Sequence, residues 1–295
     1  GTERALFATR KMLSELVYNM TTAEGNPLSA VEVETIVHGT SVGGVKISDV
    51  EQTRRIQKGW EEVTSQVQAG TFQVNKDNFV HINSIVATDE APVGGFRTGS
   101  VRVGNIPYAP PSHEYLDKNF EKMLWDFNQK KDTEEKSYDL FLDSARNQFF
   151  WDGNKRTAQF MMNGYRLKEG LPVISFDPSV QKEYFGKMAR FYINNDKKEM
   201  YDFLGKRQAQ IDLEQHGSDN LSEQKENLRP LSTLERVRLS TSIKGVPGLG
   251  KVKQQLDKIS EIETELSTMS DSEREKRIAE YEALFKTQKG RGVER

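Results

Sequence analysis

The chain has 295 residues, enough for a large core or two domains, and 29% of them are charged. With a mean hydropathy of -0.71 it lacks the run of roughly 18–20 apolar residues that a membrane span needs, so no membrane role is expected. A formal net charge of -2 gives no global attraction to nucleic acid, and the absence of cysteine excludes disulfides, thiolate nucleophiles and Cys-based zinc sites, which fits a reducing, cytoplasmic setting.

Taken in order, the periodicity is helical almost throughout. Leu6, Leu13, Leu16, Val17 and Met20 predict one helix over about 4–20, ended by Gly25-Asn26-Pro27. Ser29-Ala30-Val31-Glu32 and Ser48-Asp49-Val50-Glu51 are capping-box signals for the next two, the second carrying Ile56, Trp60, Val63 and Val67 on its buried stripe. Phe79, Ile82 and Val86 mark a fourth. Residues 93–108 interrupt the pattern with a short alternation and turn residues at Gly99 and Gly104-Asn105, which predicts a small β-hairpin. Pro110-Pro111-Ser112 then opens a helix through Leu116, Phe120, Met123, Leu124 and Phe127, and Asp132-Thr133-Glu134-Glu135 caps another through Tyr138, Phe141, Leu142 and Ala145. Further helices carry Ala158 to Tyr165, Tyr184 to Phe191, and Phe203-Leu204. Residues 213–232 lack a hydrophobic period and predict a linker; 233–295 predict a helical hairpin that packs on the main body or on a partner. The expected fold is therefore all-α: N-terminal helices over 1–72, a helical core over 73–212 with one hairpin, the linker and the tail.

Between two of these helices lies Gln148-Phe149-Phe150-Trp151-Asp152-Gly153-Asn154-Lys155-Arg156-Thr157-Ala158-Gln159. Gly153 permits left-handed backbone and Asn154 tolerates it, while Lys155 and Arg156 add two cations to a helix N-terminus, whose free N–H groups already favour anions. Asp152 is the one carboxylate, suited to a divalent metal on a polyphosphate. A plain capped helix start, with Asp152 ion-paired to Lys155 or Arg156, accounts for the same residues about as well. A second glycine-rich stretch, Gly245-Val246-Pro247-Gly248-Leu249-Gly250-Lys251, has P-loop spacing up to its lysine, but Val252 follows where Ser or Thr is needed and no strand precedes it. It reads as a flexible joint between tail helices. The basic end, Lys286 to Arg295, reads as a solvated terminus.

Phe150-x-Asp152-Gly153-Asn154-Lys155-Arg156 resembles the signature of Fic-domain proteins, His-Pro-Phe-x-Asp/Glu-Gly-Asn-Gly/Lys-Arg-x-x-Arg. Thr21-Thr22-Ala23-Glu24-Gly25-Asn26 is similar to that family's inhibitory motif, and 93–108 to its target-binding flap. The resemblance implies a compact helical domain, related to enzymes that transfer AMP from ATP to hydroxyl side chains of target proteins. It implies ATP or another nucleotide with Mg²⁺ as cofactors and a target protein held by the flap, with Arg97 and Arg102 assisting an acidic target; the helical tail is a second candidate surface for a protein partner. By position, Asp152 would ligate Mg²⁺, Gly153, Asn154 and Lys155 would surround the phosphates, Arg156 would neutralise them, and Phe150 would anchor the loop. Two positions depart from the pattern. Gln148 replaces the histidine that takes the hydroxyl proton, and a carboxamide has no basic lone pair, so a factor of about 10²–10⁴ in rate is lost. Gln159 replaces the second arginine, the usual partner of the inhibitory glutamate, here Glu24; Met20 also stands where that motif has Ser or Thr. His38, His81, His113 and His216 all lie outside the loop. The alternative to weak or altered transfer is a catalytically inactive Fic-fold scaffold that binds a partner through its flap or tail.

Overall fold

A computed structural model describes residues 1–209 and 230–291, and among them the regular structure is helical. In chain order the helices are α1 (Thr2–Lys11), α2 (Leu13–Ala23), α3 (Ala30–Val37), α4 (Ile47–Gln68), α5 (Lys76–Ala87), α6 (Leu116–Gln129), α7 (Thr133–Asn147), α8 (Asn154–Lys168), α9 (Gln181–Asn194), α10 (Lys198–Gly205), α11 (Thr233–Ile243), α12 (Val252–Leu266) and α13 (Asp271–Arg291). A 3-10 turn at His113–Tyr115 leads into α6, and one isolated bridge joins Ile174 to Gln208. The chain divides into two compact units that interleave along the sequence. One is built from Gly1–Leu13, Arg54–Phe176 and the stretch from Val180; the other from Ser14–Thr53, Asp177–Ser179 and the C-terminal helices.

Local signals account for several helix starts, though α4 begins at Ile47, ahead of the capping box expected at Ser48. The Ser29 hydroxyl accepts the Glu32 N–H while the Glu32 carboxylate accepts that of Ser29, a complete capping box on α3. Asp132 caps α7 by accepting the Glu135 N–H at 2.8 Å. The single helix expected over 4–20 is instead α1 and α2, broken at Met12 (φ -99°, ψ 8°), next to the point where the chain passes from the first unit to the second.

The first unit is organised on the α7–α8 pair. Tyr138, Phe141, Leu142 and Ala145 of α7 meet Ala158 and Met162 of α8, and Tyr184, Met188 and Phe191 of α9 close the cluster. Backbone approaches are close. A Cβ on Gly164 of α8 would stand 2.1 Å from the Phe72 ring, so this position has no room for a side chain.

The expected hairpin over 93–108 is not formed: no ladder joins the two halves of this segment. Its polar backbone turns elsewhere, with the Arg97 N–H on the Phe149 carbonyl at 2.8 Å and the Ile106 N–H on Val103 within a turn. The alternation in the sequence reflects side-chain anchoring. Phe96 stacks on Phe149 (4.8 Å) and meets Phe150 edge-on (5.5 Å), while Val103 enters the α7–α9 core.

In the second unit, α3, α11, α12 and α13 bury Val31, Leu239, Ile243, Ile259, Ile262, Ile278 and Phe285 together. The C-terminal tail is thus three helices rather than a hairpin, and it packs on α3, with Ser29 and Ser240 hydroxyls 2.8 Å apart. Helix α11 follows from a signal the periodicity reading passed over, the capping box Ser232 to Glu235. Its Glu235 also pairs with Arg274 at 2.8 Å; Arg274 is 1% exposed and donates to the Leu266 carbonyl as well. The glycine-rich stretch 245–251 is a packed turn, since Val246 is buried in this core. Most of the expected linker, His216 and the last four residues of the basic end lie outside the described residues.

Candidate functional site

The turn between α7 and α8 is held by two side-chain amides. Helix α7 ends with Gln148 in left-handed backbone (φ 50°, ψ 57°), and its Nε2 donates to the Ala145 carbonyl at 2.6 Å. Asn154, the first residue of α8, reaches back across the turn: its Nδ2 donates to Gln148 Oε1 (3.0 Å) and the Phe150 carbonyl (2.9 Å), and its Oδ1 accepts the Phe150 N–H (2.9 Å). Phe149 and Phe150 are buried beneath. Gly153 is left-handed (φ 71°), and a Cβ there would lie 3.1 Å from that of Ala87, so α5 passes directly under the turn. From α5, Asn83 donates to the Asp152 carbonyl (2.9 Å) and the Thr157 hydroxyl (3.2 Å).

At the start of α8, Gly153, Asn154 and Arg156 are buried while Asp152 and Lys155 reach the surface beside them, and the first turn of the helix carries no acidic residue. Helix geometry denies its first N–H groups an internal acceptor, so the position favours an anion. The Asp152 side chain is half exposed; its Oδ1 accepts the Gly153 N–H at 2.7 Å and lies 3.7 Å from Arg156 Nη2. Lys155 extends along the surface with Nζ 5.3 Å from the centre of the Phe185 ring on α9.

Arg156 points the other way. It is 2% exposed, donates to the Val86 carbonyl at the end of α5 (3.1 Å) and pairs with Glu90 (2.7 Å), whose second oxygen takes Arg55 at 2.8 Å. Gln159 is buried on α8. The structure therefore brings Gln148, Asp152, Gly153, Asn154 and Lys155 to one turn, with the Arg156 guanidinium behind it. Glu90, Arg55 and Asn83 escaped the sequence reading because they sit 60 or more residues away by chain order, on segments with no motif of their own.

Arg97 differs from its expected surface role. It is buried and spans the turn, donating from Nε to the Gln148 carbonyl, from Nη1 to Gly99 (2.8 Å) and from Nη2 to Pro111 (2.5 Å). Burial lowers its pKa, with Tyr108 opposing. The 93–112 segment is thereby fastened to the turn, and Gly99 lies so close to Trp151 that a Cβ would meet the indole at 2.7 Å. Arg102 remains exposed.

Glu24 belongs to the second unit, where it is exposed at the turn closing α2. His38 contacts the Glu34 carbonyl (2.8 Å), His81 pairs with Glu62 (2.9 Å), and His113 opens the 3-10 turn. A polar cleft of about 420 Å³, bounded by Tyr108, Asn119, Arg146 and Lys197, has most of its charges paired: Lys122 with Asp126, and Lys197 with Asp139 and Asp143. Burial raises the Asp143 pKa.

Among the described residues no group of three or more His, Asp or Glu is placed to hold a metal, and no helix is long and apolar enough to cross a membrane. A divalent cation here would have to share Asp152 with the oxygens of its own anionic ligand. The chemistry of the turn fits that arrangement, because Asp152 keeps one oxygen free beside an anion-favouring helix start.

Residues 73–165 match the model of the Fic/DOC family. No curated protein matches the chain. Among solved structures, the chain is similar to Fic-1 from C. elegans (TM-score 0.59, 19% identity, covering 68% of this chain and 61% of that one). It is also similar to a Fic domain containing signaling protein from Bacteroides thetaiotaomicron (TM-score 0.57, 16% identity, 79% and 87%). A Fic family protein from Desulfovibrio desulfuricans gives a TM-score of 0.54 at 14% identity, with 84% and 75% covered. The chain thus spans less than two thirds of the C. elegans structure, and identities at this level speak for the fold alone.

Proposed function

We propose, from the premise that the chain carries a Fic/DOC-family domain over residues 73–165, that the α7–α8 turn binds the phosphates of a nucleotide with Mg²⁺ and that group transfer to a protein hydroxyl is slow or absent. The observation that carries this reading is the start of α8, which has no acidic residue in its first turn, with Asp152 half exposed and Lys155 beside it. Asn154 and Lys155 would supply N–H groups to phosphate oxygens, with the Gly153 N–H joining them on release from Asp152 Oδ1, which it now bonds at 2.7 Å; Lys155 would add a cation, and Asp152 would hold the metal, which when bound neutralises phosphate charge. ATP is the reference nucleotide. The half-exposed ring of Phe185 next to Lys155 offers a flat face to a base.

Slow transfer follows from Gln148. Its amide is a donor and acceptor but not a base, and both ends are committed within the turn, to Ala145 and Asn154. Arg156 supports the turn from behind through Glu90 and Val86 and reaches the anion only as a distant charge. The same observations favour one other reading, a silent Fic-fold scaffold in which the turn is purely structural and a protein partner binds elsewhere.

Incubation of the protein and of Gln148→His with α-labelled ATP, Mg²⁺ and a lysate separates the two. The expected outcome is nucleotide binding by calorimetry for both proteins, with protein labelling only by the histidine variant, faster by about 10²–10⁴ where residual transfer is measurable. Efficient labelling by the unaltered chain would refute slow transfer. Binding of no nucleotide by either protein would leave the scaffold.

A further inference from the structure

Arg156 Nη2 faces two carboxylates: Glu90 Oε2 at 2.7 Å and Asp152 Oδ1 at 3.7 Å. The nearer one is outside the motif, on the turn that follows α5. That turn is shaped to deliver it, since the preceding residue, Asp89, is held at φ 65°, a conformation uncommon for a residue with a side chain. Glu90 is itself shared, giving Oε1 to Arg55 at 2.8 Å. Four cations (Arg55, Arg97, Lys155, Arg156) and two carboxylates (Glu90, Asp152) therefore surround the turn, leaving an excess of positive charge for an anion.

We infer that Glu90 is a positioning residue that keeps the Arg156 guanidinium off Asp152, so that Asp152 stays available to a divalent cation. The inference rests on the reading of Asp152 as the metal ligand. Its physical basis is that a buried guanidinium must have a counter-charge. Arg156 is 2% exposed, so it cannot turn to water if Glu90 is neutralised, and the next carboxylate on the same nitrogen is Asp152, which is half exposed and able to move. An Arg156–Asp152 ion pair would then compete with the metal. Partners of this kind, one step behind a metal ligand, typically change metal affinity by about 10–100-fold when removed. Arg55 works against Glu90 here, because each oxygen it takes is one fewer for Arg156.

The signs are therefore opposite for the two partners, which a merely structural network would not produce. Calorimetric titration with ATP in Mg²⁺ and again in EDTA gives the tightening due to metal for the wild-type protein, Glu90→Gln and Arg55→Met. Glu90→Gln is expected to lose about tenfold of that tightening, while its affinity in EDTA is equal or higher because one negative charge near the phosphates is gone. Arg55→Met is expected to keep the tightening or increase it. Melting by circular dichroism checks the folds; Glu90→Asp, which keeps the charge but shortens the reach, falls between wild type and Glu90→Gln and serves if the latter does not fold. Full metal dependence in E90Q, or in E90D where only that variant folds, overturns the inference, as does an equal loss in R55M. A wild-type protein that binds ATP without any metal dependence overturns it too, by removing the metal from Asp152, whereas one that binds no ATP in either buffer overturns the proposed site itself.

Discussion

Two glycine-containing turns in this chain carry a lysine into a helix, and they are built in opposite ways. At 148–156 the polar side chains of Gln148 and Asn154 bond to each other and to nearby backbone, so the turn closes on itself and Asp152 is left half exposed at the start of α8. At 245–251 an apolar side chain, Val246, is sunk into the core beneath α11 and α12, and the Leu249 carbonyl accepts the Gln255 side chain. Lys251 caps the start of α12, and its own N–H is taken by the Gln254 side chain. Glycine and lysine at P-loop-like spacing thus do not by themselves make an anion site. What distinguishes the first turn is that its internal contacts run between polar side chains and backbone, with a half-exposed carboxylate, Asp152, and Lys155 at its surface.

The glycines should separate the two turns most strongly. Gly153→Ala meets both a left-handed backbone and the Ala87 methyl at 3.1 Å, whereas Gly248 is left-handed (φ 83°) with nothing within 4 Å of the added Cβ. Urea denaturation should give a loss of about 2–4 kcal/mol for the first, from strain and crowding together, and roughly 1–2 kcal/mol for the second, from strain alone. Equal losses would mean that α5 yields to the turn and that the close approach is unimportant.

The lysines come next, and the effect moves from stability to binding. Lys155→Ala should weaken ATP binding roughly tenfold with little change in melting, because a charge-assisted contact of about 1.5 kcal/mol is lost. Lys251→Ala should leave ATP affinity unchanged in the same titration. A reversed order would transfer the phosphate site to the glycine-rich stretch.

The smallest effect concerns acid. Glu235 is held down to about 2 by its hydrogen bonds to Arg274, against the opposing pull of burial and with help from Ser232. A depressed carboxylate stabilises the fold above its unfolded value near 4.5 and loses that contribution as pH falls towards 2. Hydrogen exchange in α11 and the start of α13 should therefore accelerate between about pH 4.5 and 2, ahead of exchange at Asn154 and Phe150 in the other turn. Unchanged protection of α11 down to pH 2 would show that the pair contributes nothing to its unit.

Much of this could be read along the chain because it depends on neighbours in sequence. The caps at Ser29 and Asp132, the buried stripes of α5 to α9 and the positive backbone angle at Gly153 all follow from side chains acting within a few residues. The capping box at Ser232 was equally local and would have located α11. Alternation at 93–108 was legible too, but the same pattern serves a strand ladder and a segment anchored by Phe96 and Val103, and only the available partner decides between them.

The residues alone place a helix start after Gly153 with Asp152 and Lys155 beside it, and a carboxamide, Gln148, just before the turn. Helix geometry and side-chain chemistry suffice for that. Tertiary structure decided where the charges go: Arg97 inward to the carbonyls of Gln148, Gly99 and Pro111, and Arg156 inward to Glu90 and Val86. An arginine is equally at home on a phosphate, on a carboxylate or on a row of carbonyls, so its direction is set by whichever distant segment folding brings within reach.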